Sequence, residues 1–182
     1  MAPPVRTSRQ LWIDTGLDLL ATEGPGAVRV EVLAQRLGVT RGGFYRQFGG
    51  RAELVDAMLD AWERRSTDDV RRRVEAEGGD AAGKARKAGM LTFAPDLLPI
   101  DLAVREWARR DAKVAARLRR VDNRRMDYLR ELISTLSGDA GDVEARAMLA
   151  FSLVIGDHLI AADRLVGGRA RVLRDATRLI LG

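Results

Sequence analysis

The sequence predicts an all-α protein with an N-terminal three-helix unit and a C-terminal helical bundle. Apolar residues recur at the three- and four-residue spacing of helices, no stretch alternates as a strand would, and only 5 of the 182 residues are proline. The 46% hydrophobic and 31% charged content is enough for a core with solvated outer faces. We therefore expect helices packed on helices.

Glycines divide the N-terminal part into separate predicted helices. An apolar stripe through Trp12, Gly16 and Leu20 predicts a first helix that ends before Pro25. The helices expected after it are two short ones over residues 30–37 and 41–47 and a long one from Arg51 to Gly78.

The Gly78-Gly79 pair is the predicted boundary between two domains, because it follows a highly charged stretch and precedes a second helical pattern. We interpret residues 78–85 as a flexible connection, since the resemblance of this segment to a phosphate-binding loop lacks both the preceding strand and the final Ser or Thr. Further helices are expected over residues 101–110, 114–136, 143–165 and 169–181.

Composition excludes several kinds of chemistry. With no cysteine, the chain forms neither disulfides nor thiolate metal sites, and one histidine, His158, cannot supply a two-imidazole zinc site. That histidine is more often structural than catalytic, so we expect no enzyme activity and no cofactor. The net charge of +5 favours polyanionic partners without requiring them. Residues 1–10 lack the apolar run of a signal peptide and residues 147–156 are too few to cross a bilayer, so we expect a cytoplasmic protein without membrane association.

The segment from Glu31 to Leu54 has the spacing of a helix-turn-helix. Ala34 is small enough for a second helix to cross closely, Gly38 can adopt the left-handed conformation, and Thr40 is suited to cap the next helix. In such a motif the first residues of the second helix face the bases in the major groove.

The side chains that begin this second helix suit DNA. Arginine contacts guanine or phosphate, tyrosine donates to phosphate, and glycine allows close approach of the backbone. The alternative is a helical hairpin whose arginine and tyrosine side chains face water. The residues concerned are Arg41, Gly42, Gly43, Tyr45 and Arg46.

The stretch VLAQRLGVTRGGFYRQFGGRAELVDAML, residues 32–59, resembles the DNA-binding domain of the TetR family of transcriptional regulators. The matching positions are Leu33-Ala34, Gly38-Val39-Thr40, Arg41-Gly42, Phe44-Tyr45, Phe48 and Arg51. The resemblance implies an all-helical homodimer with about nine helices per subunit, bound to a double-stranded operator as a repressor and released by a small-molecule effector. Residues 1–50 would bind DNA, residues 51–77 would connect, and residues 78–182 would regulate and dimerise. The implied DNA-binding residues are Arg29, Thr40, Arg41, Gly42, Gly43, Tyr45, Arg46 and Arg51.

Three departures from the family pattern bear on this interface. Arg29 stands where the family commonly has a capping Thr, so the cap of the second helix is in question, although arginine can itself reach a phosphate. Gly43 occupies a position that often carries a base-reading side chain. Gly49-Gly50 replaces the usual Pro-Ser, which we expect to loosen the start of the fourth helix.

The last two predicted helices have apolar faces that suit a dimer. Residues 147–155 are apolar on nearly all sides of a helix, which therefore has to bury two faces. The alternative to a dimeric four-helix bundle is a central helix buried within one chain. The predicted interface residues are Phe151, Val154, Ile155, Val172, Leu173, Ala176, Leu179 and Ile180.

A ligand pocket is predicted among the large side chains of the C-terminal part. Each of them alone is better explained as core filling, but together they could line an apolar cavity with a few polar contacts. An enzyme and a helical adaptor without ligand sensing are the competing functions. The pocket candidates are Met90, Phe93, Arg105, Trp107, Tyr128, Phe151 and His158.

Overall fold

The computed structural model describes residues 7–181 and is all-helical over that range. The α-helices are α1 (Arg9–Glu23), α2 (Val30–Leu37), α3 (Arg41–Tyr45), α4 (Arg51–Ser66), α5 (Asp68–Glu77), α6 (Ala81–Thr92), α7 (Leu98–Ala108), α8 (Ala112–Ile133), α9 (Ala140–Leu159) and α10 (Arg169–Leu181). A short 3-10 turn, Pro25–Ala27, lies between α1 and α2. None of the helices in the described range is long and apolar enough to span a membrane.

Contacts within the chain group these helices into two units. The first unit comprises the chain as far as Ser66 together with Pro95–Arg120, and the second comprises Thr67–Ala94 together with the chain from Val121 onward. Helix α7 and the start of α8 thus belong with the N-terminal helices. A division into functional domains at Gly78 stays a prediction.

The first unit is built around α1, which packs on α4 and α7. Helix α1 begins where the Ser8 hydroxyl accepts a hydrogen bond from the Leu11 N–H at 3.2 Å. It approaches α4 closely at Gly16, where an added Cβ would lie 2.6 Å from the Met58 sulfur. The side chains of this core with no more than 1% exposure include Trp12, Leu17, Leu20, Leu33, Phe44, Leu54, Met58 and Trp62.

The predicted long fourth helix is wrong, because Thr67 interrupts it with φ −128° and ψ −77°. The sequence after the break favours a new helix start, since Asp68 and Asp69 place negative charge in the first turn of α5. The flexible connection predicted over residues 78–85 is also wrong beyond Asp80. That carboxylate accepts a hydrogen bond from the Gly83 N–H at 2.6 Å and caps α6.

The second unit has a core of its own, formed by α5, α6, α8, the first part of α9 and the end of α10. Its buried members include Val74, Ala85, Met126, Ile133 and Ala147. Helix α9 ends at Leu159, before the predicted end at residue 165. Only Ala147 of α9 and Leu181 of α10 are buried within the chain, so both helices leave much of their apolar surface exposed.

Candidate nucleic-acid interface

The turn between α2 and α3 has the predicted geometry. Gly38 is left-handed, with φ 65° and ψ 31°, and its N–H donates to the carbonyls of Ala34 and Gln35. The Val39 N–H donates to the Ala34 carbonyl at 3.0 Å. The chain therefore reverses within a few residues and starts α3 at Arg41, as a helix-turn-helix requires.

An aromatic cluster beneath α3 fixes its orientation. Phe44 is fully buried and meets Trp12 edge-on, with ring centroids 5.4 Å apart, and stacks on Phe48 at 5.2 Å. The guanidinium carbon of Arg9 lies 4.1 Å from the centre of the Phe48 ring. Anchored in this way, α3 turns the opposite face to solvent.

The structure places the predicted DNA-binding residues of α3 on two sides of the helix. Arg41, Gly42, Tyr45 and Arg46 are exposed, and Tyr45 retains 61% of its accessible surface. Gly43 is half-buried, and a Cβ there would lie 3.8 Å from the Trp12 ring. Its lack of a side chain thus fits the approach of α3 to α1.

Two of the predicted residues occupy helix starts without capping them. Arg29 precedes α2 and Thr40 precedes α3, both with extended backbone, and neither side chain makes a capping hydrogen bond. Both side chains are exposed. The N–H groups at the start of α2 and α3 therefore receive no cap from the side chain that precedes each helix.

Arg41 and Glu31 form an ion pair across the turn. Nη1 of Arg41 donates to Glu31 Oε1 at 3.1 Å, and both side chains are more than half exposed. The pKa of the Glu31 carboxyl is lowered, first by a hydrogen bond from its own backbone N–H and then by one from Arg41. Sequence reasoning missed Glu31, although its place in the first turn of α2 could be read from the chain.

Arg51 is held by the protein itself. Its Nη2 donates to the Pro25 carbonyl at 2.9 Å and its Nε donates to the Val28 carbonyl. These bonds tie the start of α4 to the loop between α1 and α2. A contact between Arg51 and DNA stays a prediction.

The start of α4 is well held despite the Gly49-Gly50 pair, contrary to expectation. The Glu53 carboxylate accepts a hydrogen bond from the Gly49 N–H at 2.7 Å and pairs with Arg9 at 3.0 Å. Both contacts lower the pKa of Glu53, and the hydrogen bond from the Gly49 backbone has the larger effect. The Glu53 side chain, four residues after Gly49, thus holds the flexible Gly49-Gly50 backbone in place at the start of α4.

Comparisons with known proteins agree with this geometry. Residues 13–58 match the family described as bacterial regulatory proteins, tetR family. A stretch of 58 residues is 33% identical to TtgW, an HTH-type transcriptional regulator of Pseudomonas putida. That match covers 32% of this chain and 43% of the relative, so the chain spans less than half of the relative's length. The similarity to the tetR family thus lies in residues 13–58, the part of the chain that contains the helix-turn-helix.

Two solved structures share the fold along most of the chain. The TetR family transcriptional regulator PfmR from Thermus thermophilus superposes with a TM-score of 0.68 at 17% identity, covering 96% of each chain. AibR, in complex with isovaleryl coenzyme A and operator DNA, superposes with a TM-score of 0.69 at 15% identity, covering 95% of this chain and 97% of that one. These structures support the all-α fold outside the matched domain.

The predicted pocket residues do not form one group. Arg105 and Trp107 belong to the first unit, where Arg105 pairs with the fully buried Asp101 at 2.8 Å. Met90, in the second unit, is 71% exposed. Phe151 packs against the core of that unit.

Within the second unit, Phe93 and His158 are brought together, with ring centroids 5.8 Å apart. The buried Arg125 guanidinium lies 5.5 Å from the Phe93 ring centre, a neighbour that sequence reasoning missed. The Tyr128 hydroxyl donates to Glu75 at 2.7 Å, and burial followed by this bond raises the pKa of Tyr128. The tyrosine hydroxyl is thus already engaged by the protein.

The predicted dimer residues also divide by environment. Phe151 and Ile180 pack against the core of their own unit, and a Cγ of Val154 lies 3.3 Å from where a Cβ of Gly89 would stand. Ile155, Leu173 and Ala176 are half-buried. Val172 and Leu179 are exposed on α10, and Met148, Leu149 and Leu159, which sequence reasoning left out, are exposed on α9.

Proposed function

We propose that the protein is a homodimeric transcriptional repressor that binds a pseudo-palindromic DNA operator and is released by a small-molecule effector. The observation that carries the DNA-binding part is the exposed face of α3. A left-handed Gly38 and a buried Phe44 hold Arg41, Tyr45 and Arg46 outward on a tetR-family domain. In helix-turn-helix proteins this face enters the major groove.

Charge and hydrogen-bond donors at this surface suit a duplex. Arg41 and Arg46 supply cations for phosphate or guanine, and Tyr45 supplies a hydroxyl that can donate to phosphate. Binding to chromosomal DNA implies that the protein works in the cytoplasm.

A dimer is supported by the unpartnered apolar surface of α9 and α10. Met148, Leu149 and Leu159 on α9, with Val172 and Leu179 on α10, are spaced to lie on exposed helix faces. A second copy of the chain is the partner that suits these helix faces, because two such helix pairs form a four-helix bundle. An operator with two-fold symmetry also requires two DNA-binding domains. The alternative of a central helix buried within one chain does not fit the exposure of α9.

Effector release is supported by a solved protein of similar fold. AibR was solved with both an acyl-coenzyme A and operator DNA, which supports ligand responsiveness in a protein of this fold. For this chain, Phe93 and His158 are the predicted pocket residues that lie together, beside Arg125. A helical dimerisation or adaptor protein without ligand sensing is the second candidate, favoured by the exposure of Met90 and the engaged hydroxyl of Tyr128.

The decisive experiment is selection of duplexes by the full-length protein from a randomised library, followed by mobility-shift titration at several salt concentrations. A repressor of this type enriches a pseudo-palindrome, and its affinity falls steeply as salt rises because phosphate contacts release counterions. Enrichment of no duplex above the starting library contradicts DNA recognition and favours the adaptor.

A further inference from the structure

The recognition helix begins beside an acidic side chain. Glu31 accepts one hydrogen bond from Arg41, at 3.1 Å, and both side chains are accessible to a duplex. Arg29, Tyr45 and Arg46 are cationic or neutral, so the carboxylate of Glu31 introduces a negative charge next to groups suited to phosphate. A duplex that approaches this surface therefore meets both an attractive and a repulsive group.

The single bond to Glu31 engages only part of the Arg41 guanidinium. The group has five N–H donors in a planar fork, and one of them donates to Glu31 Oε1. The Glu31 carboxylate is charged at neutral pH, as an ordinary glutamate is, and its hydrogen bonds lower its pKa further. Arg41 is thus restrained and still able to donate to a further acceptor.

We propose that Glu31 is a specificity-determining residue, a proposal that rests on the proposed DNA-binding function. Glu31 orients Arg41 for contact with a base edge and disfavours pairing of Arg41 with phosphates. A phosphate that pairs with Arg41 has to approach the charged carboxylate of Glu31 as well, because the two side chains are joined. To contact a guanine edge, it uses donors that Glu31 leaves available. Since phosphate contacts supply the sequence-independent part of binding, Glu31 weakens non-specific binding more than operator binding.

The test compares Glu31→Gln with a matched control, Glu23→Gln. Both variants remove one negative charge from an exposed ion pair, because Glu23 pairs with Arg36 at 2.9 Å where α1 and α2 end. The probes are the duplex selected by the wild-type protein and a scrambled duplex of equal length. Circular dichroism melting verifies that each variant is folded, and Glu31→Ala serves as a second variant with the same expected effect.

We expect Glu31→Gln to bind the scrambled duplex about 2- to 30-fold more tightly, from loss of one exposed ion pair in each of two protomers. The slope of log affinity against log salt becomes steeper by up to about 2, because each freed Arg41 neutralises one phosphate. Affinity for the selected duplex changes less, so the ratio of the two affinities falls. Glu23→Gln leaves that ratio at the wild-type value.

A double-mutant cycle with Arg41→Ala separates positioning from simple repulsion. If Glu31 acts through Arg41, the gain on the scrambled duplex disappears in the Arg41→Ala background. An equal gain in both backgrounds overturns the proposal, as does an equal change on both duplexes or the same behaviour in Glu23→Gln. If the wild-type protein selects no duplex, the proposed function fails and this inference fails with it.

Discussion

Replacing Leu179 by Ala tests the proposed dimer most directly, because this side chain is 87% exposed in the single chain. The change removes three carbon groups, and burial is worth about 0.8 kcal/mol for each, so one contact is worth about 2 kcal/mol. A two-fold axis uses every contact twice, which gives a loss of about 4 kcal/mol in dimerisation free energy. At about 1.4 kcal/mol for each factor of ten, the dimer dissociation constant rises about a thousandfold.

Sedimentation velocity over a range of protein concentrations measures this shift. Leu11→Ala is the matched control, since Leu11 is another exposed leucine but lies on α1 in the first unit. Val154→Glu is a poor test of the dimer, because Val154 packs towards Gly89 of its own chain and its loss perturbs the fold. A wild-type monomer at micromolar concentration, or equal sedimentation of Leu179→Ala and Leu11→Ala, would refute the reasoning.

Three further predictions concern the DNA-binding domain. Tyr45→Ala should weaken binding to the selected duplex at least tenfold with unchanged helicity by circular dichroism, because Tyr45 is 61% exposed; loss of helicity would show a structural role. Phe44→Ala should lower the free energy of unfolding by about 3–5 kcal/mol in urea titration, since its ring is fully buried; a loss below 1 kcal/mol would contradict the anchoring role of the ring. The pKa of Glu53 is lower in the folded chain than its ordinary value, so its contribution to stability is present above that value and is lost as pH falls through the folded pKa. Urea titrations from pH 6 to pH 3 should therefore show a smaller fall in stability for Glu53→Gln than for the wild-type protein.

Sequence patterns were sufficient for the fold class and for the turn of the helix-turn-helix. Helical spacing of apolar residues is a local property, and so is the need for glycine at a left-handed position, here Gly38 at φ 65°. The same local reasoning could have found the break before α5, because Asp68 and Asp69 are a helix-start signal within the chain itself. Because apolar residues keep helical spacing on both sides of the break, the pattern predicted one continuous helix.

Only the tertiary structure decided which candidate side chains are available for binding. Arg41 and Arg51 are the same residue type ten positions apart. One guanidinium is exposed and paired with Glu31, whereas the other donates to the carbonyls of Pro25 and Val28. Likewise, Trp107 and Phe93 are both aromatic residues of the C-terminal half, yet they lie in different units. A sequence lists the groups that can form contacts, but the partner of each depends on residues distant in the chain, and that pairing is set by packing.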